Sequence, residues 1–268
     1  MVLARYLKLF VAFGRFSLLN EMAFRANYVA KVAVEILWLF LMIVFYRTLF
    51  SQTQAVGGWT EPQYLFFLGC YYALDGLVET LFLSNCSEFA ELVRSGNLDF
   101  ILLKPIDEQF LVSFRNIEWS SAPNVILGFG LMIVGLQRLG WPVGPVQVSV
   151  FVVTFACAIV MSYCFLITLA STSVWLVKNQ SLFELWWLFT SLMRYPREIF
   201  RGPWAGALGW VFSFLLPALL ITNVPASTMV KVLDPVLATY MVGATIVLLV
   251  VSRRFFRRAL QSYRSASS

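Results

Sequence analysis

Long apolar runs separated by short charged breaks set the pattern of this chain. Ala30–Phe50, Gln63–Leu83, Ser121–Leu139, Val148–Val177 and Val236–Ser252 each reach the roughly 17 or more residues that a membrane helix needs. Before the first run, residues 1–29 carry Leu7, Phe10, Phe13 and Leu18 at near-helical spacing, with Arg5, Lys8 and Arg15 between them. That pattern predicts a helix lying in the membrane interface with its cations at the headgroups. The longest charged interruption is residues 86–107, CSEFAELVRSGNLDFILLKPID. Phe89, Leu92 and Val93 form one helical stripe there, and Glu88, Glu91 and Arg94 flank it. Gly96-Asn97 suits a helix stop, and Pro105 ends the apolar stretch that follows. The spacing predicts a short surface helix and a turn, not a further span.

The region after Lys178-Asn179-Gln180 is less regular. Leu182–Met193 is apolar but short, Arg194, Arg197 and Arg201 follow, and Trp204–Thr222 is apolar around Pro217. Two arrangements fit. Residues 181–197 cross the membrane and 204–224 dip in and out as a re-entrant element broken at Pro217, Asn223 and Pro225. Alternatively, 182–203 stay on the inner side, as the three arginines favour, and 204–224 cross. Both give six crossings with the termini on one side. That side is cytoplasmic by the charge rule. Arg5, Lys8, Arg15, Arg25 and Lys31 lie at the first end, Arg94, Lys104 and Arg115 in the central loop, and Arg253, Arg254, Arg257, Arg258 and Arg264 after the last span.

Composition agrees with this reading. The chain is 60% hydrophobic and 13% charged, against about 25% charged in a soluble domain. The net charge of +6 is accounted for by inner flanks, and no aromatic-basic platform for nucleic acid lies outside the apolar runs. The four Cys have no CxxC spacing and there is no His, so neither a zinc site nor a His base is indicated. The first long apolar run begins near residue 30 and reads as retained rather than as a cleaved leader. Gly128, Gly130 and Gly135 in the third span suit close helix packing.

Three carboxylates lie inside spans. Glu35 sits a turn beyond Lys31, and Asp75 and Glu79 are four apart on one helical face. Such groups must face protein or water. The sharper reading is a proton or ion relay. The simpler one, favoured because Glu79 is about a turn from the inner end, is a hydrated patch that meets a basic residue.

Three stretches carry a family resemblance. Ser95–Pro105 is similar to a G-x-L-D-x-x-L-x-x-P segment, Tyr195-Pro196 with Pro217 and Pro225-Ala226 to a spaced proline pattern, and Arg258–Ala266 to a closing basic-Tyr-Ser motif. Together they resemble the membrane subunit of an ABC-2 type exporter, of the six-helix branch related to daunorubicin-resistance-type transporters.

The resemblance implies an all-α, six-helix permease in a bacterial inner membrane, paired with a second identical or similar permease and surrounded by lipid. A separate ATPase subunit, holding the ATP and Mg, would dock on 86–107. Glu88, Phe89, Glu91, Leu92, Val93, Arg94, Gly96, Asn97 and Asp99 would form the coupling surface, and Lys178–Ser181 would lie at a second inner turn. It also favours the re-entrant form of 204–231, with the three arginines near the outer face. The chain itself has no Walker A loop, GxSxG or HExxH, so it is no ATPase or hydrolase by motif. The rival of a different class is a proton- or ion-coupled secondary transporter or channel using Glu35, Asp75 and Glu79. A membrane enzyme or scaffold lacks a nucleophile or base in a suitable arrangement.

Overall fold

A computed structural model describes residues 2–140, 142–176, 180–200, 202, 205–232 and 234–263. Trp141, Lys178, Asn179, Arg201, Trp204 and the motif after Tyr263 lie outside the described residues.

All regular structure in these residues is helical. Helix α1 (Val2–Ala23) precedes α2 (Arg25–Gln52), and α3 (Glu61–Val78) runs through a π-helical turn at Glu79–Leu83 into α4 (Ser84–Ser95). Short helices α5 (Leu98–Leu102) and α6 (Glu108–Phe114) follow, then α7 (Ala122–Leu139), α8 (Pro145–Thr172), α9 (Gln180–Met193), α10 (Ala205–Trp210), α11 (Ala218–Val230) and α12 (Pro235–Ser262). Five continuous helical segments are long and apolar enough to cross a membrane, beginning at Arg25, Glu61, Trp119, Pro145 and Pro235. The all-helical, multi-span class expected from the apolar runs is what the chain adopts.

The tightest contact is between α3 and α7, which run antiparallel. A Cβ added at Gly69 would stand 2.7 Å from the Gly128 carbonyl oxygen, and one at Gly135 would stand 2.8 Å from Phe66 N. At Gly76 it would meet Asn124 Cβ at 2.8 Å, and at Gly128 it would fall on the Ala73 backbone. Each pair, 69/76 and 128/135, is one heptad apart and so lies on one helical face. Small residues are what let two backbones approach this closely in lipid, where no hydrophobic force drives helices together. Gly130, expected to share this role, faces open space.

The two ends of the bundle are distinguishable by their contacts. At the terminal end, Arg5 donates to the Pro105 carbonyl, Asp107 N donates to the Tyr6 hydroxyl at 3.2 Å, and Arg253 pairs with Asp107. The opposite end holds the 53–60 loop, where Lys231 stacks 3.8 Å from the Trp59 ring and Trp59 Nε1 donates to Glu198 at 3.0 Å. Helix α9 ends here, since Tyr64 OH donates to the Arg194 carbonyl at 3.2 Å. Its 14 residues span about 21 Å, less than a bilayer core.

Residues 205–215 and 218–230 form a pair bent by 82° at Leu216-Pro217. Pro217 cannot donate a backbone hydrogen bond at this bend. Ile199, just before the pair, lies against Gly57, and the Val230 carbonyl at its end accepts from Gln63 Nε2 at 3.1 Å. The 3-10 turn that precedes the bent pair and the pair's far end at Val230 therefore both touch the 56–63 segment. Asn223 holds the preceding loop: its Oδ1 accepts from Arg197 N at 3.0 Å, and its Nδ2 donates to the Tyr195 carbonyl at 3.3 Å. Pro225 lies inside α11, which is buried along almost its whole length.

The charge count favoured placing Arg194 and Arg197 at the terminal end, and the structure puts both at the opposite one. The reason is pairing. Arg194 Nε donates to Tyr71 OH at 2.8 Å with its guanidinium 5.1 Å from that ring, and Arg197 lies 3.7 Å from Glu198. Cations satisfied by protein no longer obey a rule about headgroups.

Replacing Gly128 by Leu should destabilise the chain by roughly 1–3 kcal/mol through overpacking, whereas Gly130→Leu should be near neutral. Thermal melting of the two purified variants in one detergent checks this. Equal losses would mean that the α3–α7 contact is not what the mutation perturbs.

Candidate coupling surface and intramembrane polar site

Two places gather the residues singled out by the sequence. The first is the loop at the terminal end. Helix α4 is not separate from the second span; it continues α3, so that Glu61–Ser95 is one 35-residue helical stack. Gly96 closes it at φ 75°, a left-handed conformation that glycine adopts without Cβ strain. Asn97 then starts α5.

The expected docking stripe divides. Phe89 is fully buried, 5.7 Å from the Phe256 ring, and Leu92 and Val93 are half-buried against the same core. Phe89 thus faces this chain's own interior and is not available to a partner, because α4 packs against α8 and Phe89 meets Phe256 of α12. Glu88 accepts from Arg115 and from Asn116 Nδ2 at 2.9 Å, which ties α4 to the segment before α7. Glu91 and Arg94 form an exposed pair at 2.8 Å. Asp99 is half-buried at the first turn of α5. What α5 does expose is Phe100, 68% accessible, and Leu103, 80% accessible, beside exposed Lys104. Hydropathy does not single out these two, because Leu98–Leu103 is apolar at every position but Asp99. Helical phase decides which members face outward: Leu98 and Ile101 are buried.

A polar clamp braces this loop. Asp107 accepts from Phe110 N at 3.0 Å as the cap of α6 and pairs with Arg253, whose Nη1 also donates to Gln109 at 2.6 Å. Burial pushes the Asp107 carboxyl up, but Arg253 and the Phe110 N–H outweigh it and hold the group below its ordinary value. Helix α1 grips the other side. The Glu21 carboxylate accepts from Trp119 N at 2.8 Å and Ser120 N at 3.0 Å, and Ser17 accepts from Ile117 N at 3.0 Å. Burial raises the Glu21 carboxyl in spite of these two amides, and nearby Glu118 adds to the rise. Helix α1 is therefore hydrogen-bonded to the segment just before α7, while Leu7, Phe16 and Leu19 remain on its exposed side.

The second place lies between α2, the π turn after α3 and the segment before α7. A cavity of ≈ 500 Å³ is lined by Lys31, Glu35, Glu79, Glu118, Ser120 and Ser121 among others. Lys31 Nζ donates to Glu118 at 2.7 Å, and Glu35 accepts from Asn124 Nδ2 at 2.9 Å. The structure thus brings Glu35 and Glu79 to one cavity and places the expected basic residue, Lys31, on its wall. Asp75 is set apart from them in its bonding: it accepts from Tyr71 OH at 3.0 Å, and Tyr71 in turn accepts from Arg194. The π turn at 79–83 shapes the cavity wall. Widening the helix leaves carbonyls without α-helical partners, and the Thr80 carbonyl accepts from Glu118 N at 2.9 Å. Glu118 and Asn124 were not anticipated, since nothing local marks a residue some 40–90 positions away as a partner.

A chain of several membrane-length helices, with a charged loop braced at one end and a polar cavity within, defines a polytopic transport-type membrane protein. A family model, that of the ABC-2 family transporter protein, matches residues 36–267. The chain belongs to the ABC-2 family, as a transporter membrane subunit rather than an enzyme. Permeases of this family normally work with a cytoplasmic ATPase. No curated protein and no solved structure matches the chain.

The Asp107–Arg253 clamp makes a pH prediction. A carboxyl held below its unfolded value adds stability above that value, about 3.9, and loses it as pH falls through the lower folded value. Asp107→Asn should therefore cost roughly 1 kcal/mol at neutral pH for this half-exposed pair and flatten the acid limb of the stability curve. Melting temperatures of both forms from neutral pH to about pH 3 test it. An unchanged acid limb would assign that limb to other carboxylates.

Proposed function

We propose that the chain is the permease subunit of an ATP-driven exporter of a hydrophobic or amphipathic substrate, within the daunorubicin-resistance-type branch of its family. The terminal end is the cytoplasmic face of a bacterial inner membrane, in keeping with its Lys and Arg content. A separate ATPase carrying ATP and Mg docks there, and a second permease, identical or similar, completes the pathway. Residues 204–231 act as a re-entrant element from the outer side, an assignment supported by the 82° bend at Leu216-Pro217 and by the contacts of Ile199, before the element, and Val230, at its end, with 56–63.

The observation that carries the docking proposal is the exposed apolar pair Phe100 and Leu103 at the tip of a clamped loop. The loop follows directly from the 35-residue helical stack, so a push on it reaches the span without a flexible linker. Glu91, Arg94, Gly96 and Asn97 surround the pair. Glu88, Phe89, Leu92, Val93 and Asp99 hold the loop's shape from behind.

Phe100→Ser with Leu103→Ser should weaken ATPase association roughly a hundredfold, from the lost burial of two apolar side chains. The full chain purified in mild detergent with its native partners, assayed for co-purifying ATP hydrolysis, provides the readout. Association and coupled hydrolysis that survive the double change would sink the docking assignment.

The cavity favours a second reading, coupling of transport to protons or ions through Glu35, Asp75 and Glu79. It needs no ATPase. Transport by the purified chain in liposomes, driven by a proton gradient without nucleotide and abolished by Glu79→Gln, would replace the first reading. Dependence on nucleotide and the co-purified ATPase would exclude it.

A further inference from the structure

At the end opposite the termini, the charge rule leaves each cation in need of a partner. Arg194 has Tyr71, Arg197 and Lys231 have Glu198, and Arg138 has Glu61 at 3.4 Å, a long contact. Arg47 is exposed on α2, and among the described residues no acidic side chain pairs with it. It does not stand on an open surface. Arg47, Glu61 and Arg138 line one cavity of ≈ 210 Å³ between α2, α3 and α7, whose walls include Phe50, Leu68 and Leu131. Tyr46 and Tyr64 also line it, and their hydroxyls bond to each other at 3.2 Å. Helix α2 is only 6% buried by this chain over its membrane window, so the cleft is open along its α2 side.

The chemistry of such a cleft is specific. Two guanidiniums and one carboxylate leave an excess of one positive charge at its rim. Guanidinium groups hold phosphate oxygens in paired, charge-assisted hydrogen bonds, and the apolar walls continue from that rim into the bundle. We propose that this cleft binds a single anionic phospholipid, with the phosphate on Arg47 and Arg138 and part of one acyl chain against Phe50, Leu68 and Leu131. Glu61 keeps Arg138 turned to the rim. The lipid fills the seam between α2 and the α3–α7 pair, where α2 otherwise has little to pack against. This site is separate from the coupling loop and does not depend on the direction of transport.

Native mass spectrometry of the full purified chain tests the proposal, with phosphatidylglycerol, phosphatidylcholine and inorganic phosphate as the probes. Phosphatidylglycerol should be retained in preference to phosphatidylcholine, and Arg47→Gln should weaken that retention roughly tenfold or more. Arg47→Lys should restore part of it, which separates lost charge from lost folding. Arg25→Gln, a charge change at the terminal end, should leave it unchanged. Equal binding of the two lipids, insensitivity to Arg47→Gln, an equal loss in Arg25→Gln, or displacement of no lipid with binding of inorganic phosphate alone would each overturn it.

Discussion

The backbone-to-backbone approach of α3 and α7 is the constraint on which the rest depends. Four glycines, Gly69, Gly76, Gly128 and Gly135, remove the side chains that would hold the helices apart. In lipid the gain comes from close van der Waals contact and not from hydrophobic burial, so it is lost as soon as a Cβ intervenes. The pair then acts as a fixed spine. Helix α11 and helix α8 pack beside it, and α2 stands off it, which leaves a polar cavity toward one end and an apolar cleft toward the other. The Arg138–Glu61 contact lies at the opposite end of that spine, and the Asn124–Glu35 bond lies near its terminal end.

Polar groups in this chain follow a consistent rule. Charged side chains in the bundle are tied by hydrogen bonds: Arg194 to Tyr71 and Glu35 to Asn124 across elements, and Asp75 to Tyr71 one turn away on α3, which links it through Tyr71 to Arg194. The Arg194 and Glu35 ties join segments distant in sequence, and all three offset part of the cost of placing a charged group inside the membrane span. The same rule explains why the arginines after α9 sit where a count of charges would not place them. It also explains how α1, apolar on its exposed side, is fixed in orientation by Ser17 and Glu21 instead of floating in the interface.

Much of the architecture was readable from residue order. Apolar runs located the long helices because hydropathy is a local property. Gly96 marked the end of α4 because a left-handed cap is a local requirement as well. Among the third-span glycines, 128 and 135 lie a heptad apart and share a face, whereas 130 falls on another; equal composition hid unequal phase. Gly69 and Gly76 escaped notice because a small residue scarcely alters an apolar run. The amphipathic stripe at 89–93 was visible, but its destination was not. A stripe records that something covers it, and Phe256, far along the chain, turned out to cover Phe89. Partners of the intramembrane carboxylates were hidden for the same reason.

The π turn at 79–83 has a consequence for how this sequence lines up with others. It holds one residue more than an α-helical turn, so the faces of 61–78 and 84–95 are out of register by one residue, about 100° of rotation. A relative lacking that residue would keep an unbroken helix and an almost identical hydropathy profile. It could not place both Gly76 against Asn124 and Phe89 against Phe256. A single-residue gap in this turn, usually discounted as alignment noise, would therefore separate chains whose loop and spine are locked together as here from chains whose loop is turned a quarter of the way round.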